Sequence, residues 1–174
     1  MSKQNDLCLK IMEFFQNDPA QIQHFTLVHS FARLIGEKEE LNKQSLELLE
    51  AAAFICTVEN AADAEKILSE TGYEKDTAGH ILQLANHQQT SDNADRTICQ
   101  ILSEAKFLAA CFENPSDTET TESSIRNNIR TDTGSWIAHR VLLPKPEKLS
   151  ETWAQDGLQE LEDFIESQGI YIRQ

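Results

Sequence analysis

Thr97-Ile98-Cys99-Gln100-Ile101-Leu102-Ser103-Glu104-Ala105-Lys106-Phe107-Leu108-Ala109-Ala110-Cys111-Phe112 is the stretch that decides the fold. Its residues Ile98, Ile101, Leu102, Ala105, Leu108 and Ala109 recur at three- and four-residue steps. That is the period of an amphipathic α-helix with one face in a core, not the alternation of a half-buried strand. The same rhythm continues upstream. Leu7, Ile11, Phe14 and Phe15 predict a first helix with those four residues on its apolar face. Asp18-Pro19 reads as an N-cap followed by proline at the first helical position. The helix it opens carries Ile22, Phe25, Val28, Phe31, Ala32 and Ile35, a stripe wide enough to lie well inside, and Gly36 is expected to stop it.

Asn42 to Thr57 predicts the next helix, with Leu46, Leu49, Ala52, Ala53 and Phe54 inward and Glu47 and Glu50 outward. Its last part, Ala51 to Cys56, is apolar on every side, the mark of a helix end buried all round. A short helix from Ala61 to Thr71 ends at Gly72, and Asp76 to Gln88 supplies Ile81, Leu82 and Leu84. Gln89 to Asp95 is polar and reads as a loop. Downstream, Ser116-Asp117-Thr118-Glu119 is a capping box opening a polar helix to about Arg130. Thr131 to Gly134 is expected to break the chain before a short helix from Trp136 to Leu143.

Pro144-Lys145-Pro146 is the clearest linker. A final acidic amphipathic helix, Ser150 to Gln168, sets Trp153, Leu158, Leu161, Phe164 and Ile165 on one face, to pack on the core or on a partner. Outside the tail Ile170-Tyr171-Ile172 no period-two strand stands out. The expected class is therefore all-α: a multi-helix bundle over residues 1–143 and a linker with an added helix over 144–174.

Composition narrows the function classes. At 174 residues one domain with a sizeable core is expected. With 29 acidic against 15 basic residues the formal charge is −14, which argues against nucleic acid or an anionic membrane as the main partner. Apolar runs such as Ala51–Cys56 fall far short of a membrane span. Cys8, Cys56, Cys99 and Cys111 lack CxxC spacing, and Met1 to Lys10 does not read as a signal peptide. Free thiols in a reducing cytoplasm are the expectation.

Three histidines invite a functional reading. His24 begins a buried helix with Val28 and Ala32 beneath it; the Ala-rich run ends in Cys56-Thr57 some thirty residues later; Asn86-His87 closes another helix; and Ile101–Leu108 completes the set. In that order the chain resembles the HD-domain superfamily of metal-dependent phosphohydrolases, in particular its small bacterial members. The resemblance runs from about Pro19 to Gly134. Gly36-Glu37 with Leu41, then Leu49-Glu50-Ala51-Ala52-Ala53, match the flanking pattern, and Arg130-Thr131-Asp132-Thr133-Gly134 is similar to a turn near the end of those proteins.

The resemblance implies a helical core and a metal-ligand register in which this chain departs at most positions. His24 stands at the first ligand. The His-Asp pair reads Cys56-Thr57, a His pair reads Asn86-His87, and the last ligand Asp reads Lys106. The loop after the pair is also shortened, Val58 to Ala64 leading straight into a helix. Hard divalent cations need imidazole and carboxylate donors, often with one carboxylate bridging two metals. A hydroxyl at Thr57 and an ammonium at Lys106 remove that charge, and the ammonium repels a cation outright.

Each residue also has a plainer reading. His24 is either a retained pocket residue or a satisfied core histidine. His29 lies about 140° round the helix from His24, so the two cannot chelate one ion, and it reads as structural. His80 and His139 read as packing or surface residues. Cys56 is a small buried hydrophobe, a nucleophile served by His24 and Lys106, or a zinc donor with His24 and His87. Lys106 either snorkels to solvent or sits in the former metal cavity beside Glu104 or a bound anion. Glu37 to Glu40 and Glu59 to Asp76 read as solvated faces.

Three functions follow. The first is a non-catalytic binding or regulatory relative of the phosphohydrolases, without cofactor. It keeps a pocket (His24, Cys56, Thr57, Asn86, His87, Glu104, Lys106) for a phosphorylated small molecule or other anion. The second is a phosphohydrolase with a reduced or shifted divalent-metal site at His24 and His87, acting on a phosphorylated small molecule or nucleotide. The third is a helical interaction protein in which the former pocket is packed shut, with its function on the acidic surface; a homodimer is one possible arrangement of the chain.

Overall fold

The computed structural model describes residues 3–88, 92–115 and 118–143. Those residues form α1 (Lys3–Phe14), α2 (Pro19–Lys38), α3 (Lys43–Ile55), α4 (Ala61–Glu70), α5 (Lys75–Ala85), α6 (Asn93–Glu113), α7 (Thr118–Asn128) and α8 (Asp132–Ile137), with a π-helical turn Ala138–Leu142 continuing α8. No strand occurs among them. The architecture is an all-α multi-helix bundle. Among the described residues no helix is long and apolar enough to cross a membrane. Ser116-Asp117 of the expected capping box, the Pro144–Pro146 linker, the Ser150–Gln168 helix and the tail lie outside the described residues.

The helix starts follow their local chemistry. Asp18 Oδ1 accepts from Gln21 N at 3.0 Å with Pro19 at the first helical position, and Asn42 Oδ1 accepts from Ser45 N at 3.0 Å. Such caps satisfy N–H groups that have no partner inside the helix. α2 packs on both α3 and α6 and is the centre of the bundle. Its Phe25, Val28, Ala32 and Ile35 meet Leu49 and Ala51–Ile55 of α3 and Ile98, Ile101, Leu102, Ala105, Leu108 and Ala109 of α6 in one core.

Four local expectations are corrected. Gly36 does not stop α2, which runs on to Lys38; the left-handed residue is Glu40, at φ +57°. A Cβ at Gly36 would lie 2.8 Å from Leu49 Cδ2 and 3.0 Å from Leu46 Cδ1, so the glycine is there to let α3 approach. Glu50 is buried, not outward, because His29 and Arg33 of α2 hold its carboxylate. Phe14 is exposed, while Leu7 and Ile11 alone anchor α1 by full burial. Thr131–Gly134 is a helix start rather than a break, with Thr131 Oγ1 accepting from Gly134 N at 3.0 Å.

Candidate functional site

Lys106 lies half-buried on α6, where its charge acts on two groups from different helices. Cys56, at the end of α3, donates its thiol proton to Ala53 O at 3.3 Å. Burial pushes its pKa up to about 11, against the smaller opposing pull of the Lys106 ammonium. At neutral pH it is a thiol, and a thiolate is what both nucleophilic attack and metal ligation require. His87 follows the C-cap of α5 in the left-handed region, φ +50°, with Nδ1 3.5 Å from Ser103 Oγ of α6. His87 is exposed, yet partial desolvation of its ring, and then the Lys106 ammonium, lower its pKa from the ordinary histidine value. The imidazole is therefore neutral near pH 7, and the fixed positive charge of the group is on Lys106.

The remaining residues of that register are engaged elsewhere. Thr57 Oγ1 donates back to Phe54 O at 3.0 Å, closing the last turn of its own helix. Asn86 is exposed and caps α5 through its backbone N–H to Leu82 O, 3.1 Å away. His24 Nδ1 is 2.8 Å from Glu113 Oε2, tying the start of α2 to the end of α6. That pair faces a separate cavity of about 460 Å³ shared with Gln21, Gln23 and Asn114. Glu113 had no motif to mark it in the sequence. It is found only through the antiparallel packing of α2 on α6.

Glu104 does not pair with Lys106. Two residues apart on a helix, their side chains diverge. Glu104 is fully buried, and its carboxylate is saturated. Oε1 accepts from Gln100 Nε2 at 2.8 Å, Arg130 N at 2.8 Å and Thr131 N at 3.0 Å, and Oε2 accepts from the Thr131 hydroxyl at 2.5 Å. A side chain at Gly134 would collide with the same carboxylate. Glu39, expected to be a solvated residue, holds the next turn by accepting from Thr133 N at 2.9 Å. The two acids fix the stretch that the resemblance singled out, Arg130–Gly134, as the cap of α8.

Two further groupings escaped the sequence. His29 Nε2 is 3.1 Å from Glu50 Oε1, Arg33 donates to the same oxygen at 3.3 Å, and the His29 ring stacks on Phe54 with centroids 4.1 Å apart. They line a cavity of about 210 Å³ with Cys8, Met12 and Phe25. His29 and Arg33 are one turn apart, the only local signal for it. His80 Nε2 is 2.9 Å from Asp95 Oδ1, joining α5 to α6. Tyr73 buries its hydroxyl without a hydrogen-bond partner among the described residues, and burial, then the carboxylates of Glu47 and Glu50, push its pKa up to about 12.

Among the described residues no three His, Cys, Asp or Glu side chains converge as a group able to hold a metal ion. No protein-family model matches the sequence, and no characterised protein matches it significantly.

Proposed function

We propose that the chain is a non-catalytic binding module of the HD-domain type, in which a lysine ammonium occupies the register of the metal centre. What supports this reading is the half-buried place of Lys106 on α6, where its ammonium opposes the rise of the Cys56 pKa and adds to the fall of the His87 pKa, while the one carboxylate close to it in sequence, Glu104, is committed to the Arg130–Thr131 turn. A partly buried thiol, a hydroxyl turned back on its helix, a neutral imidazole and an ammonium do not fit the donors a divalent metal needs. They suit an anion, because Lys106 supplies charge and His87 and Ser103 supply hydrogen-bonding groups. The ligand class is a phosphorylated small molecule.

The test is calorimetric titration of the full chain with inorganic phosphate, ribose 5-phosphate and Mn²⁺. A phosphate-bearing probe binds, and Lys106→Gln weakens it by about tenfold or more, the loss of one charge-assisted hydrogen bond. Stoichiometric metal in protein purified without chelator, with phosphatase activity abolished by His24→Ala, overturns the reading. So does phosphate affinity that is indifferent to residue 106.

A further inference from the structure

The cavity of about 210 Å³ between α1, α2 and α3 shares no lining residue with the Lys106 group and takes no part in the function proposed above. Its charged wall is Glu50, whose side chain is only 10% exposed. Burying a carboxylate is costly unless its oxygens are engaged. Here the engagement is one-sided. His29 Nε2 at 3.1 Å and Arg33 Nη1 at 3.3 Å both go to Oε1. No hydrogen bond reaches Oε2 among the described residues, where the fully buried side-chain atom without a partner is the Tyr73 hydroxyl and not this oxygen. Oε2 is therefore open, on the cavity that Glu50 lines.

The imidazole adds a second unused acceptor. A carboxylate only accepts, so the proton of the His29–Glu50 bond is on Nε2, and Nδ1 of the neutral ring keeps its lone pair. The ring lies flat on Phe54, 12° from its plane, and Phe54 meets Phe25 edge-on with centroids 5.9 Å apart. Those two phenylalanines, with Cys8 and Met12 of α1, supply the apolar wall. Charge points the same way as the lone pairs. Arg33 donates through Nε to Glu37 and through Nη1 to Glu50, so one guanidinium serves two carboxylates. With the imidazole neutral, that set carries one negative charge in excess.

We propose that this cavity binds a small planar cation with paired N–H donors, the class to which aromatic amidines belong. The N–H groups meet Glu50 Oε2, and the ring lies against the apolar wall. Hydrogen bonds between an N–H cation and a carboxylate are roughly twice as strong as neutral ones, and aromatic rings add attraction for a cation held near their faces. Size sets the upper limit. A dry cavity of about 150 Å³ holds benzene, so this one takes a single ring and its amidine carbon. The unmatched carboxylate turns anions away, so this cavity and the Lys106 group select opposite charges.

The test titrates benzamidine into the full chain, read by amide NMR shifts and calorimetry, with benzoate as the control of like shape and opposite charge. Benzamidine is expected to bind with a Kd of about 1 mM or tighter and to shift amides of α1, α2 and the end of α3, while benzoate leaves them in place. Glu50→Gln removes the charge and is expected to weaken benzamidine by about tenfold or more. Because Glu50 is buried, circular dichroism checks the fold of that variant, and Thr26→Trp gives a second test away from the core. Thr26 is exposed on the rim of the cavity and its hydroxyl donates to Ile22 O, 2.7 Å away on its own helix. An indole there obstructs the cavity and is expected to abolish benzamidine binding with the urea midpoint unchanged. No binding up to about 10 mM overturns the proposal, as does an equal response to benzamidine and benzoate. So does benzamidine affinity that survives either substitution in a folded protein.

Discussion

Replacing Glu104 by alanine separates a structural latch from a binding residue. The fully buried carboxylate satisfies two backbone N–H groups, at Arg130 and Thr131, as well as the Thr131 hydroxyl and the Gln100 amide, all at 2.5–3.0 Å. Removing it strands those donors, at about 1–3 kcal/mol for each that finds no other partner. Part of this is recovered because the cost of burying the carboxylate disappears as well, so the net loss is expected to be about 3 kcal/mol. Against a total stability of about 5–15 kcal/mol, that is a large share. Urea unfolding followed by circular dichroism measures it, and hydrogen exchange locates it at residues 130–137. Glu104→Gln keeps one acceptor oxygen for the backbone pair and is expected to lose only about 1–3 kcal/mol. A Glu104→Ala protein within about 1 kcal/mol of the parent but unable to bind phosphate probes refutes the latch and returns Glu104 to the site.

Three other outcomes follow from the packing and the titrations. Gly36→Ala places a methyl against Leu49 and Leu46; the overpacking, about 1–3 kcal/mol, exceeds the helix-propensity gain of about 1 kcal/mol, so the melting temperature falls. Tyr73→Phe removes an unsatisfied buried hydroxyl and is expected to leave stability unchanged or raise it by about 1 kcal/mol in the same urea assay. Because Cys56 and Tyr73 have folded pKa values raised to about 11 and about 12, their neutral forms favour the folded state. That contribution is complete below pH 9 and is lost as pH rises from about 9 to 12, so stability falls across this window. In Cys56→Ala the part between 9 and 11 disappears, which a stability–pH profile resolves.

The helices were legible because their signals are local. Asp18-Pro19 and Asn42 cap the helices they precede, and the spacing of Ile98 to Ala109 states which face of α6 is buried. The errors share the opposite property. Gly36 reads as a stop in its own segment, whereas its role is set by Leu46 and Leu49 on the next helix. Glu50 sits near Glu47 on the helical wheel and reads as solvated until His29 and Arg33 arrive from α2. Glu104 offered no cue that its partners would be backbone groups 26 and 27 residues further on. Within the candidate site, the capture of His24 by Glu113 was not readable from the sequence, since it depends on where two helix ends meet.

These assignments also explain how an acidic protein presents a cationic spot. Of the carboxylates on or near α6, Glu104 is consumed by a turn, Glu113 by His24 and Asp95 by His80. Each is hydrogen-bonded to a specific partner, so none of them is directed at Lys106. The net charge of −14 is carried by groups spread over the helices and, in the stretch after Leu143, by a run of acids with a single lysine. Long-range repulsion of an anionic ligand by that surface is screened over about 8–10 Å at physiological salt, whereas contact with Lys106 is not. Phosphate binding should therefore weaken only slightly between about 0.15 and 0.5 M KCl if the contact dominates, and should strengthen with salt if surface repulsion dominates. The same titration on Lys106→Gln decides which term is local: only the contact is removed by that substitution, and only the repulsion remains.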